Sequence, residues 1–156
     1  MTMALNYYGY SANKVTMAKN YLPKKAFVTT RGSDGKLYGP DLDKYFVGDP
    51  FGRGTVCGPE ALVTAANAYL KDVNANMKAK DITGATCEEL YKRVSLDQPV
   101  VVMTTIGNAN RATPSGWYTE EGKYVNWSTN DHGVVLIGWD ETYVTVACPL
   151  YGMKKN

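Results

Sequence analysis

Apolar residues in the first two thirds of the chain recur at the three- and four-residue spacing of amphipathic helices. The first such segment, residues 1–8, has no N-cap residue and stops at Gly9, so we expect the last turns of a helix whose beginning is missing. In the second segment Ser11 is the expected N-cap and Pro23 ends the helix. The predicted apolar face of this second helix consists of Val15, Ala18, Tyr21 and Leu22.

Two further helices are predicted downstream. Pro59 suits the first turn of a helix, and small or apolar residues recur from there to about Lys71, which indicates close packing against another element. These residues are Ala61, Leu62, Ala65, Ala66 and Tyr69. Thr86 and Glu89 are spaced as a capping box at the start of the next helix. Cys87 follows this cap and is expected to be structural.

The pattern then changes to the period of extended strands. Strands are predicted over residues 99–105, 123–127, 132–139 and 143–148. Residues 24–56 carry several Gly and Pro turn motifs, which predict a long ordered segment without regular structure. Helices followed by strands are typical of an α+β fold, here N-terminal helices packed on a C-terminal antiparallel sheet. A chain of 156 residues fits a single domain over residues 1–156.

Composition narrows the classes of partner and the compartment. The net charge is only +2 and no basic run exceeds two residues, so binding to nucleic acid is not expected. No apolar stretch has the length of a membrane span, and the N-terminus does not resemble a signal peptide. We therefore expect a cytoplasmic protein as given, or a secreted one if a leader upstream of Met1 has been lost. No cofactor or metal is expected, and the oligomeric state stays open.

The chemistry of the chain centres on its single histidine, His132, which opens the most apolar strand. Cys57 lies just before the Pro59 helix, where the partial positive charge of a helix N-terminus would lower the pKa of a thiol. A thiol and an imidazole of this kind form the nucleophile and the acid/base of a thiol hydrolase. The group that orients the imidazole is expected at the end of the following strand, where Cys148 stands instead of a carboxylate or an amide.

Other interpretations of the same side chains remain open. Cys57 can be a small buried hydrophobic residue, and His132 a core histidine with its hydrogen bonds satisfied. If Cys57, His132 and Cys148 converge, they can instead form a disulfide or a metal site with two cysteines and one histidine. Trp117 and Trp127 fit either the core or an exposed aromatic surface that binds a substrate or a partner.

Several blocks of the sequence are similar, in their order along the chain, to the bacterial papain-like cysteine peptidases related to the bacteriocin-leader-processing (double-glycine) peptidases. These blocks are Ala4–Tyr10, Tyr45–Pro50, Asp81–Gly84, Gln98–Val102, Asp131–Asp140 and Val144–Gly152. The resemblance implies a papain-like fold and a peptide or protein as the partner. It also implies that His132 is the catalytic histidine and that Cys148 occupies the position of the catalytic aspartate.

The resemblance leaves two positions for the nucleophile. In the compact pattern of the family it is Cys57. In a longer subgroup, which shares the Asn6–Gly9 and Phe46–Pro50 blocks, the nucleophile lies just upstream of Met1. With Cys148 in place of the aspartate, we expect thiol-hydrolase activity to be impaired or lost. The alternative is a non-catalytic protein-binding module, such as an inhibitor, an immunity protein or a regulator, on the same fold.

Overall fold

The computed structural model describes residues 1–52 and 54–150, and the backbone of residues 152–155. The contacts within the chain divide it into two compact units, each assembled from separated stretches of sequence. Unit 1 consists of Met1–Asn13, Ile82–Asn110 and Asp131–Asn156, and unit 2 of Lys14–Asp81 and Arg111–Asn130. That the whole chain is a single domain stays a prediction.

The described residues form four α-helices, a π-helical turn, a 3-10 turn over Ile106–Asn108 and ten strands. The helices are α1 (Thr2–Tyr7), α2 (Lys14–Thr16, followed directly by a π-helical turn over Met17–Tyr21), α3 (Pro59–Asp72) and α4 (Cys87–Ser95). The strands are β1 (Lys24–Lys25), β2 (Thr30–Arg31), β3 (Leu37–Tyr38), β4 (Phe46–Val47), β5 (Val100–Thr105), β6 (Trp117–Tyr118), β7 (Tyr124–Val125), β8 (Asp131–Trp139), β9 (Val144–Cys148) and β10 (Gly152–Lys155). None of the described helices is both long and apolar enough to cross a lipid bilayer.

Unit 1 is built around an antiparallel sheet with the strand order β10-β9-β8-β5. One face of this sheet packs against α4, because the alternating residues of three strands and the apolar stripe of α4 form a common core. The core comprises Val100, Val134, Leu136, Val146 and Cys148, with Leu90, Tyr91 and Val94 of α4 packed against it. At the far end of β8 the rings of Tyr91 and Trp139 stack at 4.9 Å.

Helix α4 begins where its sequence predicts. The Thr86 hydroxyl accepts a hydrogen bond from the Glu89 amide, and the Glu89 carboxylate accepts one from the Thr86 amide. This reciprocal cap satisfies two backbone donors that a helix start would otherwise leave without partners. Cys87, the first residue of α4, is exposed, so its side chain does not contribute to the core.

Unit 2 contains a four-stranded sheet in the order β2-β3-β6-β7, in which β3 and β6 are parallel. Its core consists of Leu42, Val47, Trp117 and Val125. Helix α3 packs against the π-helical turn, and its buried face is rich in alanine, which allows close approach. The rings of Tyr21 and Tyr69 meet edge to face at 5.5 Å across this contact.

Two details of the predicted helices are wrong. The second helix begins at Lys14, so Ser11 is not its N-cap, and Val15 of its predicted apolar face is 50% exposed. A π-helical turn over Met17–Tyr21 follows α2 directly, and the buried side chain of this segment is Met17 rather than Val15. The strands β5, β8 and β9 and the helices α3 and α4 agree with the sequence pattern, whereas β7 is shorter than the predicted strand over 123–127.

Trp117 belongs to the core rather than to an exposed aromatic surface. Its ring is 2% exposed, and its indole N–H donates a hydrogen bond to the Pro40 carbonyl at 2.8 Å. Trp127 is half-buried and packs against the same core. The interpretation of Trp117 as a surface residue that contacts a partner is therefore wrong.

Candidate functional site

His132 lies near the start of β8, where its position is set by the pairing with β5. It is directly opposite Thr104, and Val134 is opposite Val102. Because successive residues of a strand point to opposite faces, His132 shares a face with Val134 and Leu136, the face that α4 covers. The imidazole is thus half-buried at the margin of the core of unit 1.

Cys148 lies at the same end of this face, on the neighbouring antiparallel strand β9. Val135 pairs with Ala147, so Val134 is opposite Cys148 and His132 is its diagonal neighbour. His132 Nε2 and Cys148 Sγ are 3.1 Å apart, which is within hydrogen-bond distance for sulfur. Cys148 is 6% exposed. Strand register alone therefore brings together two of the three site residues that the sequence singles out.

A thiol and a carboxylate differ in whether they can donate the proton of a hydrogen bond to an imidazole. An ionised carboxylate only accepts, so it fixes a proton on the facing ring nitrogen and leaves the other nitrogen free as a base. A thiol can also donate, and where Cys148 S–H donates to Nε2 the ring proton is on Nδ1. In that tautomer Nδ1 has no lone pair with which to take a proton from a nucleophile.

Cys57 lies in unit 2, immediately before Gly58, the N-cap of α3. It is 7% exposed, and burial raises the pKa of its thiol to about 11. The amide of Ala61, in the first turn, already donates to the Asp43 carbonyl at 2.8 Å, and the Gly58 amide donates to Leu42 at 2.7 Å. The expectation that the helix start lowers the pKa of Cys57 is wrong, because burial disfavours the charged thiolate and raises the pKa instead.

The alternatives for the three cysteines can now be compared with the structure. Cys57, Cys87 and Cys148 are free thiols. Among the residues that the structure describes, no group of three His, Cys, Asp or Glu side chains is arranged to hold a metal ion. The structure pairs His132 with Cys148, whereas a catalytic pair of His132 with Cys57 stays a prediction.

Unit 2 also carries a groove that the sequence patterns did not single out. Its volume is about 300 Å³, and the pieces of chain that line it are far apart in sequence. The lining residues are Lys25, Val28, Thr30, Tyr38, Gly39, Pro40, Asp41, Lys44, Tyr45, Thr119, Glu120 and Glu121. Lys25 lies over the Tyr45 ring at 4.5 Å, and Lys44 forms an ion pair with Glu121 at 3.7 Å. The groove therefore has positively and negatively charged side chains next to aromatic rings.

Comparisons with known proteins agree with this architecture. The profile of the Peptidase_C39 like family matches residues 1–156. The chain is 29% identical over 157 residues to the Bacillus subtilis (strain 168) protein YvpB, whose name calls it uncharacterized; the match covers all of this chain and 58% of YvpB. The crystal structure of a C39-like peptidase from Bacillus anthracis superposes with a TM-score of 0.79 at 30% identity, over 99% of this chain and 76% of that one.

Proposed function

Because the chain belongs to the Peptidase_C39 like family, we propose that it is a papain-like peptidase domain in which thiol-hydrolase activity is lost, and that it acts by binding a peptide or a protein. The chain spans 58% of the length of the curated relative that it matches, so the proposal concerns this domain alone. The observation that carries it is the contact between His132 Nε2 and the Cys148 thiol, at the position where the family resemblance implies a carboxylate.

The raised pKa and the burial of the Cys57 thiol also support the loss of thiol-hydrolase activity. A thiol attacks as thiolate, and with a pKa of about 11 roughly one Cys57 thiol in 10,000 is ionised at pH 7. Its burial also restricts the approach of a polypeptide carbonyl. An unionised thiol and an imidazole without a permanent acceptor do not amount to an activated nucleophile.

The groove of unit 2 favours binding as the remaining function. An extended polypeptide offers backbone hydrogen-bonding groups and side chains of both charges, and the groove has Tyr38 and Tyr45 beside lysine and carboxylate groups. Tyrosine supplies contact area with a polar tip, which suits such a ligand. Val28, which is 59% exposed, provides apolar surface at the same groove.

Loss of hydrolysis is tested with fluorogenic peptides that contain a Gly-Gly cleavage site. We expect the wild-type chain, Cys57→Ser and His132→Ala to give the same background rate. Turnover by the wild type that disappears in Cys57→Ser would overturn the proposal. The Cys148→Asp variant forms a separate arm: turnover in this variant alone would mean that Cys148 by itself silences an otherwise working site, and that Cys57 is competent after all.

Binding is tested with a glycine-rich peptide in titration calorimetry. We expect Val28→Asp to weaken binding about tenfold, because it places a charge on the apolar margin of the groove. The matched control is Val15→Asp, since Val15 is 50% exposed and does not line the groove. Equal affinity of the two variants, or no binding by the wild type, would count against the groove as the binding site.

A further inference from the structure

We propose that Cys148, paired with His132, is a peroxide-reactive thiol and hence a site of oxidation by small, uncharged peroxides. The proposal does not rest on the proposed function, since it concerns the chemistry of the pair itself and needs neither a peptide substrate nor a partner.

The geometry supplies what a reactive thiol requires. The attacking species is the thiolate, and a base within hydrogen-bond distance allows the thiol proton to move without passing through solvent. His132 Nε2 stands 3.1 Å from Cys148 Sγ, and both are anchored by paired strands. Transfer of the proton gives a thiolate beside an imidazolium, and the attraction between these two charges offsets part of their cost of burial.

On the part of this face that the structure describes, the neighbours of the pair on β5, β8 and α4 are a hydroxyl and mostly apolar side chains. Thr104 is directly across from His132 on β5, and its hydroxyl donates to the Asn108 side chain at 3.1 Å. Helix α4 presents Leu90, Tyr91 and Val94 to this face. Asp131 precedes His132 on β8 and therefore alternates onto the opposite face.

The burial of Cys148 limits the size of the oxidants that can reach its sulfur. At 6% exposure the sulfur excludes bulky electrophiles, whereas a peroxide of nearly the size of water can reach it. Two residues beyond Cys148, Leu150 is 57% exposed, and His132 is half-buried, so the pair lies near the surface of unit 1.

The reaction balances with hydrogen peroxide as the oxidant. The Cys148 thiolate attacks one peroxide oxygen, a sulfur–oxygen bond forms, and the oxygen–oxygen bond breaks. The departing hydroxide takes the proton from the His132 imidazolium and leaves as water. The sulfur is oxidised by two electrons to the sulfenic acid, the peroxide is reduced, and the imidazole returns to its neutral form.

The other two cysteines of the chain serve as internal controls for the reactivity of Cys148. Cys57 is buried to the same degree, at 7% exposure, and its pKa of about 11 keeps it protonated. Cys87 is exposed at the start of α4. A comparison of Cys148 with Cys57 therefore isolates the effect of the imidazole at constant burial, and a comparison with Cys87 measures the effect of access.

The test exposes the folded wild-type chain to hydrogen peroxide and then unfolds it in the presence of dimedone, so that the label reaches buried sulfurs, and the labelled cysteines are identified by mass spectrometry. We expect Cys148 to form sulfenic acid about ten times faster than Cys57 at pH 7. In His132→Gln we expect the rate at Cys148 to fall about tenfold at pH 7, because the base that accepts the thiol proton is lost. Circular dichroism of this variant verifies that the sheet is retained.

Two outcomes would overturn the proposal. One is equal labelling of Cys148 and Cys57 in the wild type, which does not depend on any variant. The other is an unchanged rate of oxidation at Cys148 in folded His132→Gln, since the imidazole would then take no part in the reaction of the sulfur. Because the assay contains no peptide, its result is separate from that of the hydrolysis assay.

Discussion

Two thiols of this chain are buried to the same degree, Cys57 at 7% and Cys148 at 6% exposure, yet their surroundings differ. Cys57 lies at the start of a helix whose first amides are already bonded to loop carbonyls, and burial raises the pKa of its thiol. Cys148 lies on a strand with an imidazole nitrogen at 3.1 Å. The comparison teaches that a sequence motif typical of an active thiol matters less than the partner that the fold provides.

The comparison is tested most severely by placing an aspartate at each position. In Cys57→Asp a carboxylate replaces a buried thiol, and we expect a loss of about 3 to 5 kcal/mol in the free energy of unfolding. In Cys148→Asp the carboxylate can pair with His132, and we expect a loss of about 1 to 2 kcal/mol. Urea unfolding at pH 7 measures both, and equal losses would mean that His132 does not compensate the charge.

The pH dependence of stability provides a second test. Burial raises the pKa of Cys57 from its usual 9.0 to about 11, so the folded state holds this proton more tightly than the unfolded state. The contribution is fully present below pH 9 and is lost as the pH rises through 11, and a shift of this size corresponds to about 2 to 3 kcal/mol.

Urea unfolding between pH 7 and 11 measures this effect as the difference between the wild type and Cys57→Ala. We expect the stability of the wild type to fall more steeply above pH 9 than that of the variant, because the variant lacks the titrating thiol. Cys87→Ala controls for the loss of a thiol as such. Parallel curves for the wild type and Cys57→Ala would contradict the shifted pKa.

The glycines beside the two thiols give the smallest expected effects. A methyl group at Gly58 would lie 2.9 Å from the backbone Cα of Asp43, so we expect Gly58→Ala to cost about 1 to 3 kcal/mol. At Gly133, next to His132, the nearest atom to a methyl group is the Met103 sulfur at 3.9 Å. Gly133→Ala is therefore expected to be neutral or to stabilise by about 0.5 kcal/mol. Thermal unfolding of the two variants would contradict this contrast if their midpoints fell equally.

The sequence is informative wherever a feature is local. The capping box of Thr86 and Glu89 and the proline at the start of α3 act within one helical turn, so both helix starts are predicted at the observed residues. The parallel pairing of Tyr38 with Tyr118 joins distant parts of the chain, and no spacing rule indicates it. The π-helical turn that buries Met17 is set by packing against α3 rather than by a local motif.

The same distinction between local and long-range features applies to the residues of the candidate site. The alternation of β8 and β9 predicts that His132 and Cys148 lie on strands, and their diagonal contact follows once the register is known. The environment of Cys57 was not predictable in this way, because Leu42 and Asp43, whose carbonyls accept from the amides around it, belong to an irregular segment. Burial of that thiol is a property of the loop packing and not of the motif.

The interleaving of the two units has a consequence for synthesis on the ribosome. All of unit 2 lies before residue 131, whereas the central strands of unit 1 require the last part of the chain. Since chains emerge from the N-terminus, unit 2 has its complete sequence available while β5 still lacks its partner strand β8. The residues of β9 are made after all of unit 2, so the contact between His132 and Cys148 forms only after the sequence of unit 2 is complete.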